Sequence, residues 1–345
     1  NPGNRMKYTK RYIALIVLFL VGFQAQAQYA GSFSRIGFGA RGISMGNALA
    51  ADIFQETSPY YNPAHTPLAS GQHLEASVAA LSFDRSLQFL QVGAPLQQRA
   101  GFSIGLIHSS VSNIDGRDNS GFHTSDLSVD EYAGFLAFGL KLSGRISAGI
   151  NLQMFRTDLY EGLTPARSVG IDLGLIGRIT KNWAVGIVLD DLLARYSWDS
   201  SDLGSGGRST TDNFPRRIRL GVTTQQLKST LILSAEIESR FTSVKSFTRE
   251  TRLFGDSPAE VVNETNLVLG ESRFRFGAEY LMMEQVAFRA GVEQLGSAML
   301  DSVRPSAGFR VDQMVGELRL RLEYAFALEA QAGGKIHLAS LKLYL

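Results

Sequence analysis

The chain has no cysteine. That absence excludes a disulfide scaffold, a thiolate zinc site, a cysteine nucleophile and a lipid-modified N-terminal cysteine. Proline is scarce, at 9 of 345 residues, and charged residues make up only 19%. A proline-rich linker protein and an acidic or basic tail protein are both excluded by those figures. Long apolar runs are also missing: the run near the N-terminus, Tyr12 to Phe23, has 12 residues, against the roughly 18 that a spanning helix needs. Catalytic spacings are absent too. The five histidines, His65, His73, His108, His123 and His337, form no His-x-x-x-His or Glu-x-x-His pair, and no Gly-x-Ser-x-Gly is expected on a strand-to-helix turn. The loop 115–121 has the look of a calcium loop, but Arg117 stands at a ligand position and no glutamate follows at twelve. No enzyme activity, cofactor or metal is expected.

What is present begins with a leader. Arg5, Lys7, Lys10 and Arg11 flank Met6 ahead of the apolar run, and Ala25-Gln26-Ala27 follows it. This is the three-part order of a secretory signal, with cleavage expected after Ala27 and residues 1–5 lying upstream of the start. Removing 27 residues takes four of the 34 basic groups and none of the 32 acids, so the net charge goes from +2 to −2. Nothing in that balance attracts nucleic acid.

Beyond residue 72 the chain alternates apolar and polar residues with period two. Ile146, Ala148, Ile150, Leu152 and Met154 interleave with Ser147, Gly149, Asn151 and Gln153, which gives a strand one apolar and one polar face. Fourteen such strands are expected, at 73–82, 86–95, 100–110, 130–142, 144–157, 166–179, 183–192, 215–224, 229–240, 272–282, 285–294, 303–312, 315–328 and 334–345. Long connections, at 110–129, 158–165, 193–214 and 241–271, alternate with short turns such as 143–144 and 180–182. An even strand number with long loops at one end and short turns at the other describes an antiparallel outer-membrane barrel. The polar faces carry Arg217, Arg219, Arg273, Arg275, Arg289, Arg319 and Arg321 against Asp172, Asp190, Glu236, Glu238, Glu279, Glu293 and Glu323. Turned inward these pair across a narrow lumen. Turned to lipid, each basic residue would cost roughly 2–4 kcal/mol at mid-membrane.

Residues 28–72 do not alternate. Small residues recur from Ser44 to Ala51, which suits a short helix packed close to a wall, and Asn62-Pro63 suits a tight turn. Gly39-Ala40-Arg41-Gly42-Ile43-Ser44-Met45-Gly46-Asn47-Ala48 followed by Tyr60-Tyr61-Asn62-Pro63-Ala64 resembles the N-terminal signature of the PorV/PorQ family of Bacteroidetes-type outer-membrane proteins, distant relatives of the FadL fatty-acid transporters. Pro215 to Gly221, Phe276-Gly277-Ala278-Glu279-Tyr280, and Glu323-Tyr324-Ala325-Phe326 with Gly334 to Leu341 are similar to its later motifs, Glu323 standing where the family has Asp.

The resemblance implies a fourteen-stranded FadL-like transmembrane barrel over 73–345 with residues 28–72 as a lumenal plug. It implies service to type IX secretion, as a binding, shuttle or scaffold component for secreted cargo or attachment proteins. On that reading Gly39, Arg41, Met45, Gly46, Tyr61, Asn62 and Pro63 are plug residues. Arg273, Arg275, Glu279, Arg289 and Glu323 form a lumenal charge network that holds them. Trp198 and Phe254, apolar residues in long loops, are candidate anchors for a protein partner. The alternative is a FadL-like transporter of hydrophobic small molecules, against which the charged inward positions weigh.

Overall fold

The computed structural model describes residues 30–96, 99–160, 163–201, 207–254, 257–295, 303–329 and 333–345. The expected leader at 1–27 lies outside them. The first strands are β1 (His73–Leu81), β2 (Arg85–Leu96), β3 (Ala100–Arg117), β4 (His123–Lys141), β5 (Ile146–Asp158), β6 (Ala166–Arg178) and β7 (Trp183–Asp190). A small hairpin, β8 (Arg195–Asp199) and β9 (Ser209–Asn213), follows them. The wall resumes with β10 (Arg216–Gln226), β11 (Leu231–Phe254), β12 (Ser257–Leu281), β13 (Val286–Leu295), β14 (Arg304–Val315), β15 (Leu318–Leu328) and β16 (Lys335–Tyr344). β16 returns to β1 with Tyr344 opposite His73, closing an antiparallel barrel of fourteen strands from which β8 and β9 stand apart. Closure leaves no unpaired edge, as lipid surroundings demand.

Alternation sets the two faces. Leu152 and Met154 are 46% and 64% exposed on the outside of β5, whereas Asn151 and Phe155, one residue away, are 1% and 3% exposed. An apolar outer belt around a lumen lined by polar and charged residues is the construction of an outer-membrane barrel. At one end the connections at 142–145, 179–182, 227–230, 282–285 and 316–317 are short turns, and at the other lie 118–122, 159–165 and 191–215.

Two of the expected loops are strands. β3 and β4 run to Arg117 and from His123, and β11 and β12 run to Phe254 and from Ser257, so 110–129 and 241–271 are mostly paired hairpin. Backbone groups beyond the wall still need partners, and hairpin pairing supplies them. The alternation that reveals a wall strand fades there because such a ribbon has no lipid-facing side to specify.

In the N-terminal segment η1 (Ser32–Arg35), α1 (Gly39–Ser44) and η2 (Pro63–Leu68) are the helical pieces. The helix expected over Ser44–Ala51 therefore lies five to seven residues earlier, at Gly39–Ser44. It stops where Gly46 and Asn47 take φ of 59° and 58°, left-handed values that end a helix. Asn62 caps η2, its side-chain oxygen accepting from Ala64 N–H at 3.0 Å.

Candidate functional site

The N-terminal segment lies against the inner face of the wall along a belt of glycines. Gly101, Gly139, Gly149 and Gly174 are successive cross-strand partners from β3 to β6. Gly186 pairs with Gly221, and Gly277 with Gly291. A Cβ on Gly149 would stand 2.3 Å from the Pro63 oxygen, one on Gly186 2.2 Å from the Ala50 oxygen, and one on Gly291 2.1 Å from the Gly46 nitrogen. Backbone thus rests on backbone, which any larger residue would prevent. On the segment itself Gly42 makes room for Tyr61, whose hydroxyl oxygen lies 1.6 Å from where a Cβ would be. Residues 37–52 are all buried.

Polar groups fix this contact. Arg41, in α1, donates from Nε and Nη2 to Glu279 Oε2 at 3.0 and 2.9 Å, from Nη2 to Asp52 at 2.5 Å, and from Nη1 to Thr57 at 2.8 Å. Burial works against its charge, and the Asp52 and Glu279 carboxylates more than offset that, holding Arg41 above the ordinary arginine value. The Tyr61 hydroxyl accepts from Phe38 N–H at 2.8 Å and donates to Asn47 Oδ1 at 2.8 Å, while Asn47 Nδ2 donates to Glu293 at 2.9 Å. Ala50 N–H donates to Glu236 at 3.0 Å, and Asn62 Nδ2 to the Ala50 oxygen at 2.7 Å. Met45 is fully buried, with its carbonyl oxygen against Gly277. Gly39 begins α1, and Pro63 is the first residue of η2. The motif residues are therefore brought together, and wall groups of both signs touch the segment: Glu236, Glu279 and Glu293 accept from it, while Arg219 donates to the Tyr61 oxygen at 2.7 Å and Arg310 to Gln55 at 2.8 Å.

The expected network residues meet one another as well. Arg275 bonds Glu236 and Glu238 at 2.6 and 2.8 Å, and Arg289 bonds Glu323 at 2.8 Å and lies 3.4 Å from Glu279. Arg273 pairs with Glu271 at 2.5 Å instead of with the segment. Sequence reasoning missed Arg310, Asp312, Lys342 and Glu75, which join the network from β14, β16 and β1; their period-two positions were the available signal. Glu56 of the segment faces Lys342 at 3.4 Å and His73 at 3.0 Å. Burial raises its carboxyl, but those two neighbours more than offset this and hold it low. His65 is buried with Nε2 3.0 Å from the Leu49 oxygen, and burial pushes it down to about 4.

The charges do not fill the lumen. On β2 to β5 the inward residues include Leu87, Phe89, Ile107, Phe135 and Phe155, each at most 5% exposed, interleaved with neutral polar groups such as Gln91, Ser103 and Asn151. Phe38 of the segment packs on Phe89 and Phe135 with ring centroids 5.0 and 5.8 Å apart, and on Tyr60 at 5.5 Å. Phe155, Phe214 and Tyr196 continue this aromatic seam outward, at 4.8 and 4.9 Å. The inward charges therefore occupy one side of the lumen and an aromatic seam the other. The charged inward positions expected from the sequence lie mainly on β10 to β15, and the aromatic lining of β2 to β5 was not among the expectations.

The loop candidates have local partners. The Trp198 ring lies 5.4 Å from Tyr196, and its Nε1 donates to Asp212 at 2.8 Å across the β8–β9 hairpin. Phe254 ends β11, with its side chain outside the described residues. Asp115 is taken up by Arg117 and His123 at 2.5 and 2.8 Å. Gly-x-Ser-x-Gly occurs at 42–46 and 101–105, but Ser44 donates to the Ala40 oxygen at 2.7 Å and Ser103 to the Val92 oxygen at 2.9 Å. Neither serine lies on a strand-to-helix turn, so neither has the exposed elbow a nucleophile needs.

This constellation is that of a fourteen-stranded outer-membrane barrel with its N-terminal segment against the inner wall. No protein-family model matches the chain, and no curated protein does. Among solved structures it is similar to the toluene transporter TbuX of Ralstonia pickettii, at TM-score 0.57 and 15% identity over 89% of this chain and 97% of that one. The toluene transporter TodX of Pseudomonas putida matches at TM-score 0.59 and 16% identity, over 89% and 96%. A FadL homologue of Pseudomonas aeruginosa matches at TM-score 0.57 and 11% identity, over 89% and 98%. The fold is FadL-like.

Proposed function

We propose that the protein carries a hydrophobic small molecule across the outer membrane, with residues 28–72 as a movable plug. The observation that carries this reading is the aromatic seam between Phe38 of the segment and Phe89 and Phe135 of the wall. A charged lumen alone offers no apolar path, whereas a seam whose segment side can shift offers a continuous one. The charged side then serves as the anchor about which the segment moves. The fold analogy to TbuX and TodX agrees with an apolar cargo, and toluene-sized rings match the aromatic lining in kind. Gene deletion should lower whole-cell uptake of labelled toluene or labelled oleate, and a plasmid copy should restore it. A copy carrying Phe89→Gln and Phe135→Gln should restore it several-fold less while migrating normally as a heat-modifiable barrel. Unchanged uptake of both compounds on deletion would sink the reading.

A second reading follows the PorV/PorQ resemblance: a docking platform for exported proteins. It is favoured by the β11–β12 hairpin, whose pairing continues to Phe254 opposite Ser257, far beyond the end of β10. Removal of residues 246–265 tests it. Loss of a co-purifying exported protein with uptake intact supports a platform, and unchanged partners with uptake intact refutes it.

A further inference from the structure

On the outside of the wall, near the rim with the long connections, lies a cavity of about 880 Å³. That is within the range of about 300–1,000 Å³ typical of small-molecule sites. It exists because β7 stops at Asp190 and β10 starts only at Arg216, so that the connection crosses a notch in the wall. The connection is tied down there. Leu192 N–H donates to the Ile171 oxygen at 3.1 Å, Arg195 N–H to Ser168 Oγ at 2.8 Å, and Phe214 N–H to the Ala194 oxygen at 3.0 Å. The apolar lining includes Val169, Leu193 and Val268, which are 63%, 67% and 70% exposed.

Arg167, Arg195 and Arg216 also line it, and all three residues are exposed. Among the described residues none of their side chains has an ion pair or hydrogen bond. The one carboxylate in the lining, Asp191, is buried and engaged by Arg217 at 2.9 Å. The level is informative. Arg216 stands directly above the outward apolar row Ile218, Leu220 and Val222 of β10, and Arg167 above Val169, Ile171 and Leu173 of β6. Along β10, ten residue steps of about 3.3 Å tilted by about 40° climb roughly 25 Å, the height of the apolar belt of such barrels. Arg216 therefore stands at the outer boundary of the hydrocarbon, and Arg167 and Arg195 line the same cavity beside its apolar residues.

We propose that this notch binds a phosphorylated lipid of the outer leaflet, its phosphates on Arg167, Arg195 and Arg216 and an acyl chain against Val169, Leu193 and Val268. Arginine forks suit phosphate geometry. Outward groups left unpaired at a lipid boundary gain most from a partner that is itself part of the membrane, and this proposal does not depend on what crosses the lumen.

The test is native mass spectrometry of the full-length protein in detergent, titrated with bis-phosphorylated lipid A. Wild type should retain the lipid, and the triple variant R167Q/R195Q/R216Q at least tenfold less, with unchanged heat-modifiability. L193N should weaken retention with the arginines intact. Equal retention by the triple variant would overturn the proposal. So would competition by inorganic phosphate at the lipid's own concentration, which marks a plain anion site, or equal competition by oleate, which marks a cargo site.

Discussion

Replacing Arg41 with Met keeps an unbranched side chain, two atoms shorter, and removes its charge, which makes it a probe of how the segment is held. The variant loses donation from Arg41 to Glu279, Asp52 and Thr57 together. Glu279 keeps Arg289 at 3.4 Å and Arg310 at 3.6 Å, whereas the Asp52 carboxylate keeps, among the described residues, the Phe54 N–H at 2.9 Å. Removing one member of a buried pair costs about 3–5 kcal/mol, which at 1.4 kcal/mol per tenfold raises the detached population of the segment on the order of a hundred- to a few-thousand-fold. The absence of cysteine makes the assay simple, since one introduced thiol is unique. Ala48, 2% exposed, replaced by Cys should resist a membrane-impermeant maleimide in the otherwise native barrel and react faster by about that factor when Arg41→Met is added. Equal labelling rates would refute the argument that this ion-pair cluster anchors the segment.

Gly291→Ala places a methyl where Gly46 nitrogen stands 2.1 Å away, and overpacking of about 1–3 kcal/mol should likewise raise labelling at position 48 without changing heat-modifiability. Acid should act through His65. Its value is lowered in the fold from 6.5 to about 4, so the detached state takes up the proton first. Segment stability is complete above pH 6.5 and is lost toward pH 4, by about 3 kcal/mol at most. His65→Gln should remove that part of the pH dependence of labelling, and an unaltered profile would reject it. Protease added to intact cells should cut in 118–122 or 191–215 and spare the turns at 142–145 and 179–182; the reverse pattern would invert the topology.

The wall was legible because lipid outside and polar groups inside impose opposite chemistry on alternate residues. The strand containing Ile146 to Met154 shows this cleanly. The segment was less legible because its fit depends on glycines scattered over eight wall strands, and a glycine such as Gly149 or Gly186 looks in sequence like any neutral inward position. Only pairing across strands turns them into a belt. The aromatic seam escaped for a related reason: Phe89, Phe135 and Phe155 sit at inward positions, yet an apolar residue at an inward position reads as a break in alternation, not as a second lining. Arg41, by contrast, announced itself as a charge within a run of small residues.

Flux through purified protein in liposomes bears most directly on the proposed transport. With an apolar probe such as labelled toluene supplied outside and a hydrophilic probe of similar size beside it, the barrel should speed equilibration of the apolar probe above protein-free vesicles. The hydrophilic probe should stay excluded until Arg41 is replaced. No acceleration of the apolar probe, or equal passage of both through the native protein, would contradict an apolar path along the Phe38–Phe89–Phe135 seam.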